Sequence, residues 1–439
     1  MSNIKSHEFL PHPRPYYPWL ILLISLLFQL YKSILLIIPS IIASDVAQAL
    51  QQSTLNLRFL FLAAFIPLII FQIPVGIFLD KFGVRRITSL GIFVSAIGIT
   101  LFGNSTSMTT AYIGRFLIGL GTSVALVNII KILVNWFNPK MFATLIGLAI
   151  MLAALGDLMG IYITSAIVQA VGWRTAMINY GLLGFIFSIF FFILVKDTAP
   201  GAQYDINPKV QRLKLSSTII RMLKCKQSWV IAIFAGLIQT PFPISIGLWG
   251  IPYLKSKYLF TEEQARFAFS ALLLGICISA PIMGYISTYI KKRKVFIVTG
   301  SLVVSLLSIL PMILPFKLDY LNYSFIFFFQ AIFIGMLPLC ITVMKEQNVP
   351  KISGTSFAFI HSSYAIFAFL SELLTKFLFH SEWGHSLSFE SHIPSSYLPF
   401  IIRIPLWFGL AFIFSLFIKE THAKQKLKEE LPPKVSSKE

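Results

Sequence analysis

The sequence has little charge for its length. Only 12% of its 439 residues are Asp, Glu, Lys or Arg, whereas 56% are hydrophobic. A soluble domain usually carries about twice that share of charged residues. The scarcity of charge therefore excludes an ordinary soluble globular protein. It favours a protein whose surface is covered largely by lipid.

Cysteine is also scarce, since the chain has only Cys225, Cys277 and Cys340. No two of them form a CxxC pair, so neither a disulfide framework nor a metal site is predicted, and we expect no cofactor. The chain also lacks the GxxxxGK[ST] loop that cradles nucleotide phosphates, which disfavours ATP as an energy source. No nucleophile–base set is visible, so the sequence does not indicate an enzyme.

What the sequence does have is a series of long apolar runs. Runs of about 18 or more residues are typical of transmembrane helices. We therefore predict an all-α membrane protein with twelve transmembrane helices. The predicted spans are residues 18–43, 55–79, 86–103, 108–136, 140–168, 174–195, 228–254, 265–290, 294–315, 321–344, 353–379 and 398–418.

One polar and basic segment divides the twelve spans six and six. This arrangement is typical of carriers built from two six-helix pseudo-repeats. The predicted units are a tail (1–17), an N-terminal half (18–195), a linker (196–227), a C-terminal half (228–418) and a second tail (419–439).

The net charge of +19 is placed asymmetrically along the chain. Most Lys and Arg residues fall in the tails and in the loops on the same side of the membrane as the tails. By the positive-inside rule, both termini are then cytoplasmic. We interpret the basic charge as a signal of topology and of contact with anionic lipid, not of nucleic-acid binding.

A short charged turn stands between the second and third spans. It contains Gly76, Asp80, Gly83, Arg85 and Arg86. A similar loop, Gly284 to Lys294, occupies the same place in the second half, but Thr288 stands where Asp80 stands. We predict that Asp80 latches the cytoplasmic side by holding Arg85 or Arg86, or the positive N-terminus of a neighbouring helix.

Several polar and charged side chains lie inside the predicted spans, where they are costly and usually functional. Lys32 either lines a central cavity or ties two helices together. Asp157 is either paired with Arg115 or a protonatable group that couples transport to protons. Lys131 can snorkel to the interface. His361 is either a packing residue or a proton carrier.

The turn from Gly76 to Arg86 resembles the loop-2/3 signature of the major facilitator superfamily. Gly114-Arg115 in the fourth span and Gly172-Trp173-Arg174 after the fifth agree with that resemblance. It implies two six-helix halves that alternate access to a central site. The superfamily's drug antiporters have Gly-Pro in span five, where this chain has Gly156-Asp157, which disfavours drug efflux.

Three stretches also resemble the phagosomal nutrient transporters of intracellular gammaproteobacteria: Tyr112 to Gly119, Asn135-Trp136-Phe137, and Leu248 to Leu254. This resemblance implies import of an amino acid or nucleoside. We expect a monomeric symporter in the bacterial inner membrane that binds a small molecule and a proton. Export by the same superfamily and a non-transporting membrane sensor are the alternatives.

The candidate site residues fall into three groups. For substrate binding they are Gln29, Lys32, Gln239, Trp249, Gln330, His361 and Tyr364. For proton coupling they are Arg115, Asp157 and His361. For gating they are Gly76, Asp80, Gly83, Arg85 and Arg86.

Overall fold

The structure is a computed structural model, and all regular elements of its described residues are helices. It describes residues 16–52, 57–197, 220, 222–241, 250–313, 318–348, 352–380 and 398–426.

The described part of the predicted N-terminal half forms eleven α-helices. They are α1 (Tyr17–Ile41), α2 (Ala43–Ala49), α3 (Leu57–Ala63), α4 (Ile66–Ile70), α5 (Gln72–Phe82), α6 (Val84–Gly103), α7 (Met108–Thr122), α8 (Val124–Trp136), α9 (Phe142–Met159), α10 (Ser165–Val171) and α11 (Trp173–Leu194). A 3-10 turn (Pro139–Met141) precedes α9, and a π-helical segment (Gly160–Thr164) joins α9 to α10.

The described residues from 226 onward contribute eight further helices. They are α12 (Lys226–Gln239), α13 (Gly250–Tyr258), α14 (Glu262–Ile290), α15 (Lys294–Ile313), α16 (Tyr320–Ile334), α17 (Leu337–Gln347), α18 (Ser353–His380) and α19 (Leu398–Leu416).

Local chemistry explains where several helices begin. Ser107 starts α7 and Thr261 starts α14, each with a capping box in which the cap side chain and the third helical residue satisfy each other's backbone N–H groups. Gly83 separates α5 from α6 with φ +86°, a conformation that side chains other than glycine rarely adopt. Pro67 lies in the first turn of α4, where a missing N–H costs nothing.

Eight helical stretches in the described residues are long and apolar enough to cross a membrane. They are Tyr17–Ile41, Val84–Gly103, Met108–Trp136, Pro139–Val171, Trp173–Leu194, Glu262–Ile290, Lys294–Pro311 and Tyr320–Gln347. The all-α membrane architecture is thus confirmed, while the count of twelve spans stays a prediction. The second predicted span is divided among α3, α4 and α5, and residues 242–249 of the seventh lie outside the described part.

The lipid-facing surface is visible on α11. Leu182, Ile186, Ile189 and Ile193 follow each other at spacings of three and four and are 55–62% exposed. Such spacing places them on one face of the helix. An apolar face of this length, exposed on the outside of a helix bundle, fits contact with lipid acyl chains.

The two largest hydrophobic cores of the described residues occupy different parts of the bundle. One is built almost entirely from residues 21–195, and another mainly from residues 222–418. Their most extensive contacts are those of α9 with α14 and of α5 with α18. We call the end of the bundle that carries Asp80 the inner end, which the sequence predicts to be cytoplasmic. The opposite end, at Gly172, is the outer end.

Candidate functional site

The centre of the bundle begins with a polar stripe on α1. Gln29, Lys32 and Ser33 lie about halfway along this 25-residue helix. Gln29 and Ser33 are buried, whereas Lys32 keeps partial exposure although protein surrounds it. The cavity role of Lys32 stays a prediction.

Asp157 is brought to this stripe by close packing of α9 on α1. A β-carbon at Gly156 would lie 2.6 Å from the carbonyl oxygen of Leu30, so only glycine permits the approach. The Asp157 carboxylate accepts a hydrogen bond from the Ser33 side chain and interacts electrostatically with the Lys32 ammonium. The π-helical segment begins three residues later, and such segments often occur at functional sites.

The C-terminal half completes the cluster with two ring side chains of α18. The rings of His361 and Tyr364 lie 5.4 Å apart, centroid to centroid. His361 interacts electrostatically with Lys32, and Tyr364 with Asp157. Tyr364 also contacts Phe65 of the N-terminal half at a centroid distance of 5.9 Å. These contacts place the cluster between the two halves.

Two buried polar atoms in this cluster have no hydrogen-bond partner among the described residues. They are Oε1 of Gln29 and Nδ1 of His361. Buried polar groups are normally satisfied, so each such atom needs an explanation. With a cation at Lys32 and a carboxylate at Asp157, the cluster can bind a charged, hydrogen-bonding molecule and exchange a proton. We call Gln29, Lys32, Asp157, His361 and Tyr364 the central cluster.

Arg115 does not belong to the central cluster. Its Nη1 and Nη2 donate to the backbone carbonyls of Leu35 and Leu36 at 2.9 and 3.5 Å. The predicted ion pair of Asp157 with Arg115 is therefore wrong, because the guanidinium is used by the backbone of α1. The electrostatic partner of Asp157 is Lys32.

Two predicted binding residues, Gln239 and Gln330, are not placed in the central cluster. Nε2 of Gln239 donates to the Ala235 carbonyl of its own helix at 2.8 Å. Nε2 of Gln330 donates to the Val304 carbonyl on α15 at 3.5 Å, inside the C-terminal half. Trp249 lies outside the described residues. The glutamine amides are thus engaged by backbone, which a helical-face argument from sequence cannot reveal.

The inner end carries a second cluster around Asp80. Its carboxylate accepts from the Lys131 ammonium at 2.7 Å and from the backbone N–H and hydroxyl of Thr355 at 3.0 and 2.8 Å. Thr355 lies in the first turn of α18, where the helix dipole favours an anion. Of the predicted partners for Asp80, the helix N-terminus is the one present. Lys131 forms an ion pair instead of snorkelling to the interface.

The other predicted gating residues surround this contact. A β-carbon at Gly76 would lie 2.8 Å from Cβ of Ala358, so the two halves touch closely here. The Arg85 backbone N–H donates to Asp197 at 2.9 Å, and its Nε donates to the Phe192 carbonyl at 2.6 Å. Arg86 is exposed. Neither arginine therefore serves as the partner of Asp80.

The second-half loop compensates for its missing acid. Nη1 of Arg293 donates to the hydroxyls of Ser287 and Thr288 at 2.7 and 3.0 Å, and Nη2 donates to Glu346 at 3.1 Å. The acid thus comes from α17 instead of position 288. Sequence reasoning missed both Lys131 and Glu346 as partners. The signal available was their similar position, near the inner end of the fourth and tenth predicted spans.

Glu420 anchors the segment after α19 to the same loop. It accepts from the backbone N–H groups of Arg293 at 2.9 Å and Lys294 at 2.8 Å. Burial tends to raise the pKa of Glu420. Hydrogen bonds from the backbone N–H groups of His422, Arg293, Lys294 and Thr421 outweigh burial, so the pKa lies below its ordinary value.

Within the described residues, no group of three or more His, Cys, Asp or Glu side chains is placed to hold a metal ion. The central cluster consists of one carboxylate, one ammonium, one imidazole, one phenol and one amide. Such a set suits an organic ligand better than a metal ion.

The chain is similar to known membrane transporters. A family model for the Major Facilitator Superfamily matches residues 20–250 and 242–438. The hexuronate transporter of Bacillus subtilis is 24% identical over 266 residues, covering 58% of this chain and 60% of that protein. The probable L-galactonate transporter of Escherichia coli is 27% identical over 249 residues, covering 52% of this chain and 54% of that protein.

Among solved structures, the fucose:proton symporter FucP of Escherichia coli is similar with a TM-score of 0.65 and 14% sequence identity. The alignment covers 92% of this chain and 99% of that one. At this identity the similarity concerns the fold. The chain spans between about half and three fifths of the length of the two transporters named before it.

Proposed function

Because the chain belongs to the Major Facilitator Superfamily, we propose that it imports a small organic anion together with protons, by alternating access between its two halves. The observation that carries this proposal is the central cluster. A cation and a carboxylate from one half face an imidazole and a phenol from the other, and two polar atoms lack partners among the described residues. A site shared by both halves can be exposed to either side in turn.

The ammonium of Lys32 supports an anionic substrate. A lysine ammonium inside the membrane needs a negative partner, and a substrate carboxylate supplies one. Two relatives are named for hexuronate and L-galactonate, which are both sugar-acid anions. The amino-acid or nucleoside class predicted from sequence has no support from these names. Oε1 of Gln29 and Nδ1 of His361 suit the hydroxyl groups of such an anion.

Asp157 is the proposed proton carrier. When a substrate carboxylate approaches Lys32, it competes with Asp157 for the ammonium. A buried carboxylate that loses its cation takes a proton, because an isolated charge is costly away from water. Substrate binding and protonation then favour each other. FucP, which shares the fold, is named a proton symporter.

Asp80 is the proposed gate residue. Its contacts with Thr355 join α5 of one half to α18 of the other at the inner end. These contacts must break when the inner end opens. The interaction therefore sets how stable the closed inner end is, while Gly76 permits the close approach and Arg85 fixes the turn to Asp197.

Substrate uptake is the direct test. Labelled hexuronate, galactonate, amino acids and nucleosides are offered to cells with and without the gene, with and without a protonophore. We expect uptake of a sugar acid that the protonophore abolishes. Outward flux would assign the exporter alternative, and ligand binding without flux would assign the sensor.

Two variants separate binding from coupling. Lys32→Met should abolish uptake and substrate-dependent thermal stabilisation. Asp157→Asn should abolish proton-driven accumulation but keep exchange of substrate across the membrane, since an amide at this position has no carboxyl proton to release. Lys140→Met removes an exposed lysine and serves as the control. Normal proton-driven uptake by Asp157→Asn would refute its coupling role.

We further propose that the protein is a monomer in the bacterial inner membrane with both termini in the cytoplasm. The apolar face of α11 supports the membrane location, and the basic loops support the orientation. Reporter fusions at each terminus test the orientation.

A further inference from the structure

Two hydrogen bonds join the halves at the outer end, between α14 and the helical stretch that contains the π-helical segment. Nη1 of Arg266 donates to the hydroxyl of Ser165 on α10 at 3.1 Å. The hydroxyls of Tyr162 and Ser270 lie 2.9 Å apart. Ser270 donates its own proton to the Arg266 carbonyl at 2.8 Å, so Tyr162 is the donor of the bond between the halves.

The same interface is built differently toward the inner end. A β-carbon at Gly147 would overlap the carbonyl oxygen of Ala280, and one at Gly284 would overlap that of Ala143, so backbone lies directly against backbone there. At the outer end the bonds are made by side chains, and Tyr162 is half exposed. Side-chain hydrogen bonds break without separating closely packed backbones. The outer end of this interface is therefore the part that can open.

Glu262 holds Arg266 in position. Its Oε1 accepts from Nη2 of Arg266 at 2.6 Å, and its Oε2 lies 3.4 Å from the Lys255 ammonium on α13. The guanidinium is planar and rigid, so binding Nη2 in this way aims Nη1 at Ser165. The Glu262 side chain is 52% exposed, and such a pair contributes little to stability. Its effect is therefore to orient Arg266.

The outer hydrogen bonds share a continuous helical stretch, Pro139–Val171, with Asp157 of the central cluster. Asp157 precedes the π-helical segment, Tyr162 lies within it and Ser165 follows it directly. A π-helical turn holds one residue more than an α-helical turn, and one residue turns an α-helix by about 100°. Conversion of this segment to an α-helix would therefore turn Tyr162 and Ser165 relative to α14.

We propose that the Arg266–Ser165 and Tyr162–Ser270 hydrogen bonds form the outer gate, and that the π-helical segment links this gate to Asp157. This inference rests on the alternating access proposed above, in which Asp80 closes the inner end. Loss of either hydrogen bond favours the state that is open to the outside. Loss of the Asp80 charge favours the state that is open to the inside.

Cys277 provides the probe for a test. Its thiol lies 3.6 Å from the Met151 carbonyl in the same interface and interacts electrostatically with Asp157, at the depth of the central cluster. The full-length protein keeps this cysteine, while Cys225→Ser and Cys340→Ala remove the other two. A charged, membrane-impermeant methanethiosulfonate is added outside the cells without any substrate. The rate at which Cys277 is modified then reports the opening of the outer end.

Ser165→Ala and Tyr162→Phe should each raise this rate roughly two- to tenfold, the range by which one hydrogen bond shifts an equilibrium. Glu262→Gln should raise it less and should add nothing in the Ser165→Ala background, because Glu262 acts through Arg266. The matched control is Ser324→Ala, which removes a buried hydroxyl that donates to a carbonyl of its own helix, and the rate should stay unchanged.

Unchanged rates in both Ser165→Ala and Tyr162→Phe would overturn the outer gate. An equal rise in inverted vesicles, where the reagent reaches the inner end, would mean that the variants loosen the whole bundle and would overturn it too. Because no substrate is added, the result is independent of which molecule the protein carries. A failed uptake assay therefore leaves it standing.

The link to Asp157 is tested by the ratio of the modification rates from the outside and from the inside, in which the intrinsic reactivity of the thiol cancels. Asp157→Asn imitates the protonated carboxyl and should lower this ratio. The decrease should be smaller in the Tyr162→Phe background, where one bond of the outer gate is already lost. An equal decrease in both backgrounds would show that Asp157 does not act through the π-helical segment.

Discussion

Arg115 donates a hydrogen bond to the Leu35 carbonyl at 2.9 Å, and Leu35 is the acceptor that Pro39 leaves without a donor. In an α-helix this carbonyl accepts from the N–H four residues later, and proline has no N–H. The fully buried guanidinium therefore replaces the missing backbone donor. It fixes α7 to α1 one turn beyond Lys32.

Arg115→Met should destabilise the protein through this carbonyl. The substitution keeps much of the apolar stem but leaves Leu35 without a donor, which costs about 1–3 kcal/mol for a buried polar group. Thermal unfolding of the purified protein in detergent measures the loss. We expect a clear decrease in Tm with the membrane insertion unchanged.

Pro39→Ala provides the matched control, since it restores the N–H at position 39. In that background Arg115→Met should cost less than in the wild type. Such a difference between backgrounds is the coupling that a double-mutant cycle isolates. Equal losses in both backgrounds would show that Arg115 acts in another way.

Exchanging the charges of the Asp80–Lys131 pair should not restore the gate. An isolated ion pair tolerates reversal, but Asp80 also accepts from the backbone N–H of Thr355 at the N-terminus of α18. A lysine at position 80 would face that N–H and the positive end of the helix dipole. We therefore expect Asp80→Lys with Lys131→Asp to transport as poorly as Asp80→Lys alone.

Asp80→Asn gives the milder comparison. It keeps an acceptor for Thr355 but loses the charge, so we expect transport to fall about tenfold, equivalent to ~1.4 kcal/mol, with normal insertion. Initial uptake rates at matched expression measure the loss of transport in Asp80→Asn and in the charge-exchanged protein. Full activity of the charge-exchanged protein would show that the helix N-terminus contributes nothing.

The two clusters differ in how far the sequence could predict them. The helical class follows from the long apolar runs, and Gly76, Asp80 and Lys32 stand out because each breaks the apolar pattern. The partner of Asp80 does not stand out, since Thr355 lies 275 residues away and contributes, besides its hydroxyl, a backbone N–H. Any residue type other than proline has that group, so sequence carries little signal for it.

The partners of the polar residues inside the spans are equally hard to predict from the sequence. Asp157 stands out as a charge in an apolar run, and the sequence suggests Arg115 as its partner because both lie at similar depth. Depth along a helix does not give the direction of a side chain, and a backbone carbonyl is as good a partner for arginine as a carboxylate. Gln239 and Gln330 illustrate the same point, since their amides donate to backbone carbonyls instead of meeting the central cluster.

His361 should position the substrate without carrying the proton. Lys32 lies close enough to interact with it, and a second positive charge beside an ammonium is unfavourable. Its Nδ1 atom has no partner among the described residues and is available to a ligand. We expect His361→Asn to raise KM for uptake about tenfold while the pH dependence keeps its shape. A changed pH profile with unchanged KM would assign the proton to His361 instead.

Glu420 should make the stability of the C-terminal half depend on pH in the acidic range. An ordinary glutamate has a pKa of about 4.3. The folded-state pKa of Glu420 lies below that value. Its stabilising contribution is then complete above that value and is lost as the pH falls through the lower, folded-state pKa. Thermal unfolding of the wild type and of Glu420→Gln should therefore differ at pH 6 and converge as the pH falls below the folded-state pKa.

The matched control for this comparison is Glu263→Gln, which removes an exposed glutamate in the first turn of α14. Its Tm should follow that of the wild type over the whole pH range. Glu420 accepts hydrogen bonds from the backbone N–H groups of Arg293 and Lys294, where α15 begins. Loss of its carboxylate should therefore also expose the loop before α15 to proteolysis. A constant gap between wild type and Glu420→Gln from pH 6 down to the acidic end of the range would mean that the carboxylate charge is not what holds the loop.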